Sequence, residues 1–344
     1  MNLINSYNDW GKLEEIILGS AKNLTLPDID VSVRHFFDLP ESFAQESQAE
    51  AVIEKVKTEM EEDFSELTKL LERYGVKVRR PEAIELAEKC TTPFWKSQQS
   101  HALMPRDCML ILGDTLIEAP MPSRNRFFES QSFRNITMQY QLKGEKLISA
   151  PKPTLTDDTY LWDGKVPYLA ENEPLFDAAN ILRCGKDIFY NVSNSGNRAG
   201  MEWLENLFGD KFNFHVMSVC SDHVGTTIQL LKPGLVLLNG GRISVKNLPK
   251  ELRDWDVITF KDPEDIGYEF DWPRASEWIS MNVLSIDEKT VIVEESQKIL
   301  ADQLSKKGLE VELCRFRHGR TVGGGFHCCS LDVRRQGALE SYFQ

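Results

Sequence analysis

No stretch of the chain is apolar for long enough to cross a bilayer as a helix. The first residues, Met1 to Trp10, lack a basic segment followed by an apolar run, so no export signal is expected. Basic residues are in deficit: 40 Lys and Arg stand against 53 Asp and Glu, a formal net charge of −13. A surface of that sign repels a phosphate backbone, which argues against nucleic acid as a partner. There is no C-x-x-C, and the seven cysteines are odd in number and scattered through 344 residues. That usage argues against a disulfide scaffold and for free thiols in a reducing, cytoplasmic setting. No spacing of His and Cys suits a four-ligand zinc site, and Gly240-Gly241 fits no phosphate loop. Neither a metal nor a cofactor is expected. These exclusions leave a soluble protein that handles small molecules, cationic ones included.

What is present is a repeated pattern of elements. Met281–Ile286 and Thr290–Glu294 are β-rich runs around Asp287-Glu288-Lys289, a hairpin signature. An amphipathic run carrying Ile299, Leu300 and Leu304 follows, closed by Gly308, and Leu309–Cys314 alternates as another strand. The same strand, strand, helix, strand order recurs in three earlier places. Cys108–Leu112 and Thr115–Ala119 precede a helix-like Asn125–Leu142 and a strand near Lys146–Ala150. Ile181–Cys184 and Asp187–Val192 precede a helix near Arg198–Phe208 and the strand Phe214–Val219. Thr226–Leu231 and Leu235–Asn239 precede a short helix near Leu248–Arg253 and the strand Trp255–Phe260. A looser N-terminal copy has the strand Leu13–Leu18, then a long helix with Val56, Met60, Phe64, Leu67 and Leu71 on one stripe, then Val76–Arg79. The segments Pro151–Phe176 and Lys261–Ile279 break the pattern and read as loops decorating one face.

A second periodicity runs through the units. Asp107 abuts the second, Asp177 precedes the third, His223 precedes the fourth and Cys328 follows the fifth, at the end of Gly323-Gly324-Gly325-Phe326-His327. Equivalent positions in a ring of repeats face one axis, so the four side chains are expected to converge. A cysteine is a sulfur nucleophile, two carboxylates hold a planar cation through charge-assisted hydrogen bonds, and a histidine passes a proton to a leaving amine. Together they describe attack on the central carbon of a guanidino group. The bound cation favours the thiolate, and loss of an amine leaves an amidino-thioether on Cys328. Water as the second substrate gives a deiminase; a second amine gives an amidinotransferase.

Several ungapped blocks now resemble a known family: M-P-R-D-C-M-L-I-L-G (104–113), E-A-P-M-P-S-R-N-R-F-F-E (118–129), A-P-K-P-T (150–154), F-D-A-A-N (176–180), W-I-S-M-N-V-L (278–284) and G-G-G-F-H-C with D-V-R-R (323–335). They are similar to the arginine amidinotransferases, and the resemblance runs from N-D-W-G-K-L-E-E-I-I-L-G (8–19) to the C-terminus. It implies one domain over residues 1–344 with the α/β pentein fold, a five-fold pseudosymmetric propeller of ββαβ modules. It also implies a guanidino donor, most naturally L-arginine, and an amine acceptor. Carried over by position, it makes Cys328 the nucleophile and His223 the general acid/base. Asp177 becomes the carboxylate touching both the histidine and the guanidinium, and Asp107 a further guanidinium ligand. Arg242 is then the partner of the donor's carboxylate, and Ser276 lies near the substrate. The sequence leaves a homodimer open.

One departure stands out. The family's His-x-Asp is here His223-Val224-Gly225, so a third carboxylate is missing, at a cost of roughly 1–3 kcal/mol of cation binding. If the segment is extended, 223 and 225 share a face and Asp222 points away from it, which makes Asp222 a poor substitute. Altered substrate choice is the expectation. The alternatives are a guanidine hydrolase of the same fold, such as an arginine deiminase, or a pentein that binds a partner without catalysis.

Overall fold

The computed structural model describes residues 2–43, 48–82, 89–99 and 102–343. Five three-stranded sheets share one plan, an antiparallel hairpin followed by a third strand parallel to its second. They are Met109–Leu112, Thr115–Glu118, Lys146–Ser149; Ile181–Cys184, Asp187–Asn191, Asn213–Met217; Ile228–Lys232, Leu235–Asn239, Asp256–Phe260; and Leu284–Ser285, Thr290–Glu294, Glu310–Cys314. The fifth combines Ser330–Arg335 with Leu13–Leu18 and Lys77–Arg79. The N-terminal unit therefore takes its first strand from the far end of the chain, which local periodicity does not signal.

Parallel strands need a crossover, and helices supply most of them. Glu50–Arg73 buries Val56, Met60, Phe64, Leu67 and Leu71 and turns most of its glutamates outward. Arg198–Phe208 starts on Asn197, whose side chain accepts the Gly200 N–H at 2.9 Å. The central strands Asp187–Asn191, Leu235–Asn239 and Thr290–Glu294 are buried at every position, as expected of strands covered on both faces. Among the described residues no helix is long and apolar enough to cross a membrane.

Several expected elements are shorter or different. The helix expected over Asn125–Leu142 is helical as such only at Arg134–Gln141, with two tight turns before it. The short helix near Leu248–Arg253 is a single turn, Lys250–Leu252. Residues Glu277–Met281 form a turn, which leaves only Leu284–Ser285 in the strand. The Pro151–Phe176 segment contains its own hairpin, Tyr160–Asp163 with Val166–Leu169.

The placing of the site rests on what precedes each hairpin. Short helical turns at Pro105–Cys108, Ala178–Asn180, Val224–Thr226 and Glu277–Met281 lead into four of them, and each packs on the next. A turn at residues 326–329 leads into the fifth. It joins the succession through His327, whose N–H donates to the Asn282 carbonyl at 3.3 Å. The residues singled out by the second periodicity sit on these turns.

Candidate active site

Asp107 lies on the turn opened by Pro105, and its neighbour Arg106 ties that turn to the C-terminal strand. Arg106 Nε donates to the carbonyls of His327 (2.8 Å) and Ser330 (3.0 Å), and Nη2 donates to Asp332 (2.6 Å). Asp332 also accepts from Arg183 and Arg335, both at 2.7 Å. Burial raises the Asp332 carboxyl, but three guanidinium groups outweigh it and hold the group well below the ordinary carboxylate range. Removing one partner from such a buried cluster is costly, so the backbones on either side of Asp107 and Cys328 are firmly set.

Asp177 immediately precedes the turn Ala178–Asn180, its N–H donating to the Ser195 carbonyl at 2.7 Å. His223 occupies the matching position before Val224–Thr226. Cys328 is 5% exposed, and its N–H donates to Asn282 Oδ1 at 2.8 Å. The glycine run before it is a packing requirement. A Cβ on Gly325 would come within 2.8 Å of the Asn282 Cβ, and one on Gly324 within 2.7 Å of Met104 Cε and 3.0 Å of Cys328 Cβ. Gly323, at φ +87°, makes the left-handed turn that delivers them.

The imidazole of His223 is the hub. Its Nε2 lies 2.7 Å from Asp177 Oδ2, its Nδ1 lies 3.9 Å from Asp107 Oδ2, and Cys328 borders the same hollow as the ring. Burial pushes the imidazole pKa down, but the Asp107 charge, the Asp177 hydrogen bond and Cys328 outweigh it and hold it well above 6.5. The surrounding carboxylates thus favour the protonated ring. Phe36 packs edge-on against it, with ring centroids 5.3 Å apart.

Asp107 Oδ2 accepts from Arg126 Nη1 at 2.7 Å, and Arg126 Nε donates to Glu129 at 2.6 Å. Burial raises the Glu129 carboxyl against the pull of Arg126. The other oxygens, Asp107 Oδ1 and Asp177 Oδ1, are buried without a hydrogen-bond partner among the described residues. Unpaired buried acceptors are costly, and these two suit a ligand that brings N–H donors and positive charge. Among the described residues no three His, Cys, Asp or Glu side chains are grouped as a metal site.

Two hollows adjoin at His223. One is lined by Cys328, Gly225, Thr226, Arg242, Ser276 and Asn282; the other by Asp107, Asp177, Arg126 and Glu129 with an apolar wall. Phe36, His223, Arg274 and Gly323 border both. Arg242 reaches Thr226 at 3.1 Å, Thr227 at 3.2 Å, and Ser276 and Asp222 at 3.4 Å.

This arrangement can now be set beside known proteins. No family model matches the chain. It is 40% identical over 349 residues to inosamine-phosphate amidinotransferase 1 of Streptomyces griseus, covering 99% of each chain. The solved structure of the Streptomyces griseus inosamine-phosphate amidinotransferase superposes with a TM-score of 0.90 at 39% identity, over 100% of both chains. The chain belongs to the amidinotransferase family. It is thus a transferase with the mixed α/β pentein fold, and the hydrolase and non-catalytic alternatives give way. An amidinotransferase of Microseira wollei from the saxitoxin biosynthetic pathway superposes with a TM-score of 0.89 at 35% identity, over 99% of this chain and 100% of that one. The L-arginine:L-lysine amidinotransferase of Pseudomonas savastanoi pv. phaseolicola is 34% identical over 350 residues, covering 98% of this chain and 96% of that one.

All seven residues singled out in this amidinotransferase sequence border the two hollows: Asp107, Asp177, His223, Gly225, Arg242, Ser276 and Cys328. One expectation fails. Asp222 does not point away but borders the Cys328 hollow and pairs with Arg242. Residues 224–226 form a tight turn, so the alternation of an extended strand does not apply there. Sequence reading missed Phe36, Arg274 and Asn282. Only Asn282 carried a signal, inside the W-I-S-M-N block. Arg126 is also in the site, whereas Arg124 is bound to the Leu155 carbonyl and Asp157.

Proposed function

We propose that this amidinotransferase carries an amidino group from L-arginine to a primary amine through a covalent adduct on Cys328. The observation that supports this most is the meeting of a sulfur, an imidazole and two carboxylates, each with one partnerless oxygen, at one pair of adjoining hollows. A guanidinium offers planar N–H donors and the matching charge. In the first half-reaction the Cys328 thiolate attacks the guanidinium carbon and a C–S bond forms. The C–N bond to ornithine breaks, and His223 gives its proton to the leaving amine. In the second, the acceptor nitrogen bonds to the same carbon, sulfur departs as thiolate and His223 takes the surplus proton. Asp177 orients the imidazole, and Arg242 with Ser276 holds the amino acid end of arginine. One cysteine serving both halves implies ping-pong kinetics with no cofactor. The relative named for L-arginine and L-lysine supports arginine as donor. The inosamine-phosphate and saxitoxin-pathway relatives support a role in natural-product biosynthesis in the cytoplasm. Incubation with arginine and a pool of amines is the test: ornithine with a guanidinylated amine supports transfer, and citrulline contradicts it.

Because His223 acts first as an acid, its raised pKa sets the alkaline limit of ornithine release. The rate is expected to persist above pH 6.5 and to fall only as pH rises through the elevated value. Stability follows the same sign. The contribution of the His223 ion pairs is complete below the unfolded-state value and is lost as pH rises through the folded one. Asp107→Asn removes the largest upward influence on the ring, so the alkaline limb is expected to move down toward 6.5; a profile that stays in place would contradict the assignment.

Gly225 supports an unusual substrate preference. Its φ is not positive, and a Cβ there would meet Asn282 Nδ2 at 3.3 Å and Gln229 Nε2 at 3.4 Å. Both are side-chain termini that can yield slightly. Gly225→Asp is therefore expected to fold and to lower the KM for arginine by roughly tenfold, about 1.4 kcal/mol. Gly225→Ala should leave KM in place, and an unchanged KM in the aspartate variant removes the argument.

A further inference from the structure

The carboxylates of the site are divided unequally between the two hollows. Asp107, Asp177 and Glu129 border the one on the Arg126 side. Among the described residues lining the Cys328 hollow, Asp222 is the one carboxylate, and it shares that lining with Arg242 and Arg274. Its backbone is tied down, since the Asp222 carbonyl accepts from Asn191 Nδ2 at 3.1 Å. The carboxylate is held loosely: its contact with Arg242 Nη1 is long, at 3.4 Å, and the side chain is 39% exposed. Arg242 otherwise rests on neutral hydroxyls, those of Thr226, Thr227 and Ser276. One negative and one positive group thus stand side by side at this hollow, joined only by a weak contact.

We propose that Asp222 binds the α-ammonium of the donor, so that Asp222 and Arg242 together select a guanidino compound ending in an α-amino acid. The inference rests on the transfer reading above and supplies a partner for the one donor charge which that reading leaves unmatched. An α-amino acid carries its ammonium and its carboxylate on a single carbon, and the two side chains lie close enough to take one each. As the donor's carboxylate docks on Arg242, it displaces the long contact to Asp222 and frees that oxygen for the ammonium. Both exchanges replace a weak contact by a charge-assisted hydrogen bond. Without Asp222 the ammonium would face Arg242 and Arg274 with no counter-charge in that hollow. Asp107 and Asp177 do not serve this purpose, because their partnerless oxygens are given to the guanidinium.

The test compares L-arginine with 5-guanidinopentanoate, which is arginine lacking only the α-ammonium. Ornithine release gives the KM of L-arginine and the inhibition constant of 5-guanidinopentanoate against it, in the wild-type protein and in Asp222→Asn. The pair is partly open to water, so the KM of L-arginine is expected to rise roughly five- to tenfold in the variant. The inhibition constant of 5-guanidinopentanoate is expected not to rise. An unchanged KM overturns the proposal, and so does an equal weakening of both compounds, which is what a merely structural role for Asp222 would give. If either protein releases no ornithine, calorimetry with L-ornithine and 5-aminopentanoate decides the point; when the wild-type protein is the one that fails, the transfer reading has failed with that donor. A preference for ornithine that shrinks roughly five- to tenfold in Asp222→Asn, while 5-aminopentanoate binds both proteins equally, upholds the proposal. Any other result overturns it.

Discussion

Cys328→Ala is expected to abolish ornithine release from arginine, a loss of roughly 10⁴–10⁶-fold, with little change in melting temperature. Removing a covalent nucleophile costs that much because no other group offers the same two-step path. The effect on folding is small because the thiol is one small apolar side chain beside Met104, and its backbone N–H keeps its bond to Asn282. The neighbouring cysteine is the control. Cys329 is fully buried, and burial pushes its thiol well above the ordinary range, so it stays protonated and unreactive. Cys329→Ala should cost about 1 kcal/mol of stability while ornithine release persists. Steady-state rates and thermal melts of the two variants check both statements, and a comparable loss of rate in the two would dissolve the distinction.

The second large effect is expected at Asp177. Asp177→Asn should lower kcat roughly 10²–10⁴-fold and raise KM for arginine. In the proposed mechanism the carboxylate performs two tasks with its two oxygens. Oδ2 holds His223 Nε2 at 2.7 Å, and Oδ1 is free for the guanidinium. An amide keeps the shape but removes the charge that sustains the imidazolium, and it can present an N–H where an acceptor is needed. His223 then titrates lower, since burial still presses its pKa down. The prediction is checked by kcat, KM and the pH profile of the same variant. Full activity with an unmoved profile would assign Asp177 to packing alone.

Why so much of this site was readable from sequence has a physical answer. Side chains at matching ends of repeated units must meet if the units pack in succession, so Asp107, Asp177, His223 and Cys328 were linked by position before any contact was known. The hairpins were legible because each is local, and the long helix because its stripe repeats every three or four residues. The first strand of the N-terminal unit was not, because Leu13 pairs with Arg335 across almost the whole chain. Asp222 was misjudged because a tight turn replaces the extended backbone that strand alternation assumes. Phe36 and Arg274 escaped notice because nothing in their local sequence marks them. They reach the site through packing of segments distant along the chain, Phe36 against His223 and Arg274 with its N–H on the Arg320 carbonyl.

The central claim is that Cys328 carries the amidino group between donor and acceptor. Its most direct test is the mass of the intact protein and of its Cys328 peptide after incubation with L-arginine in the absence of an acceptor. The predicted result is one amidino group added at Cys328, absent from Cys328→Ala and discharged when an accepted amine is supplied. Ornithine release with an unmodified Cys328, or an adduct borne by another residue, would contradict the account.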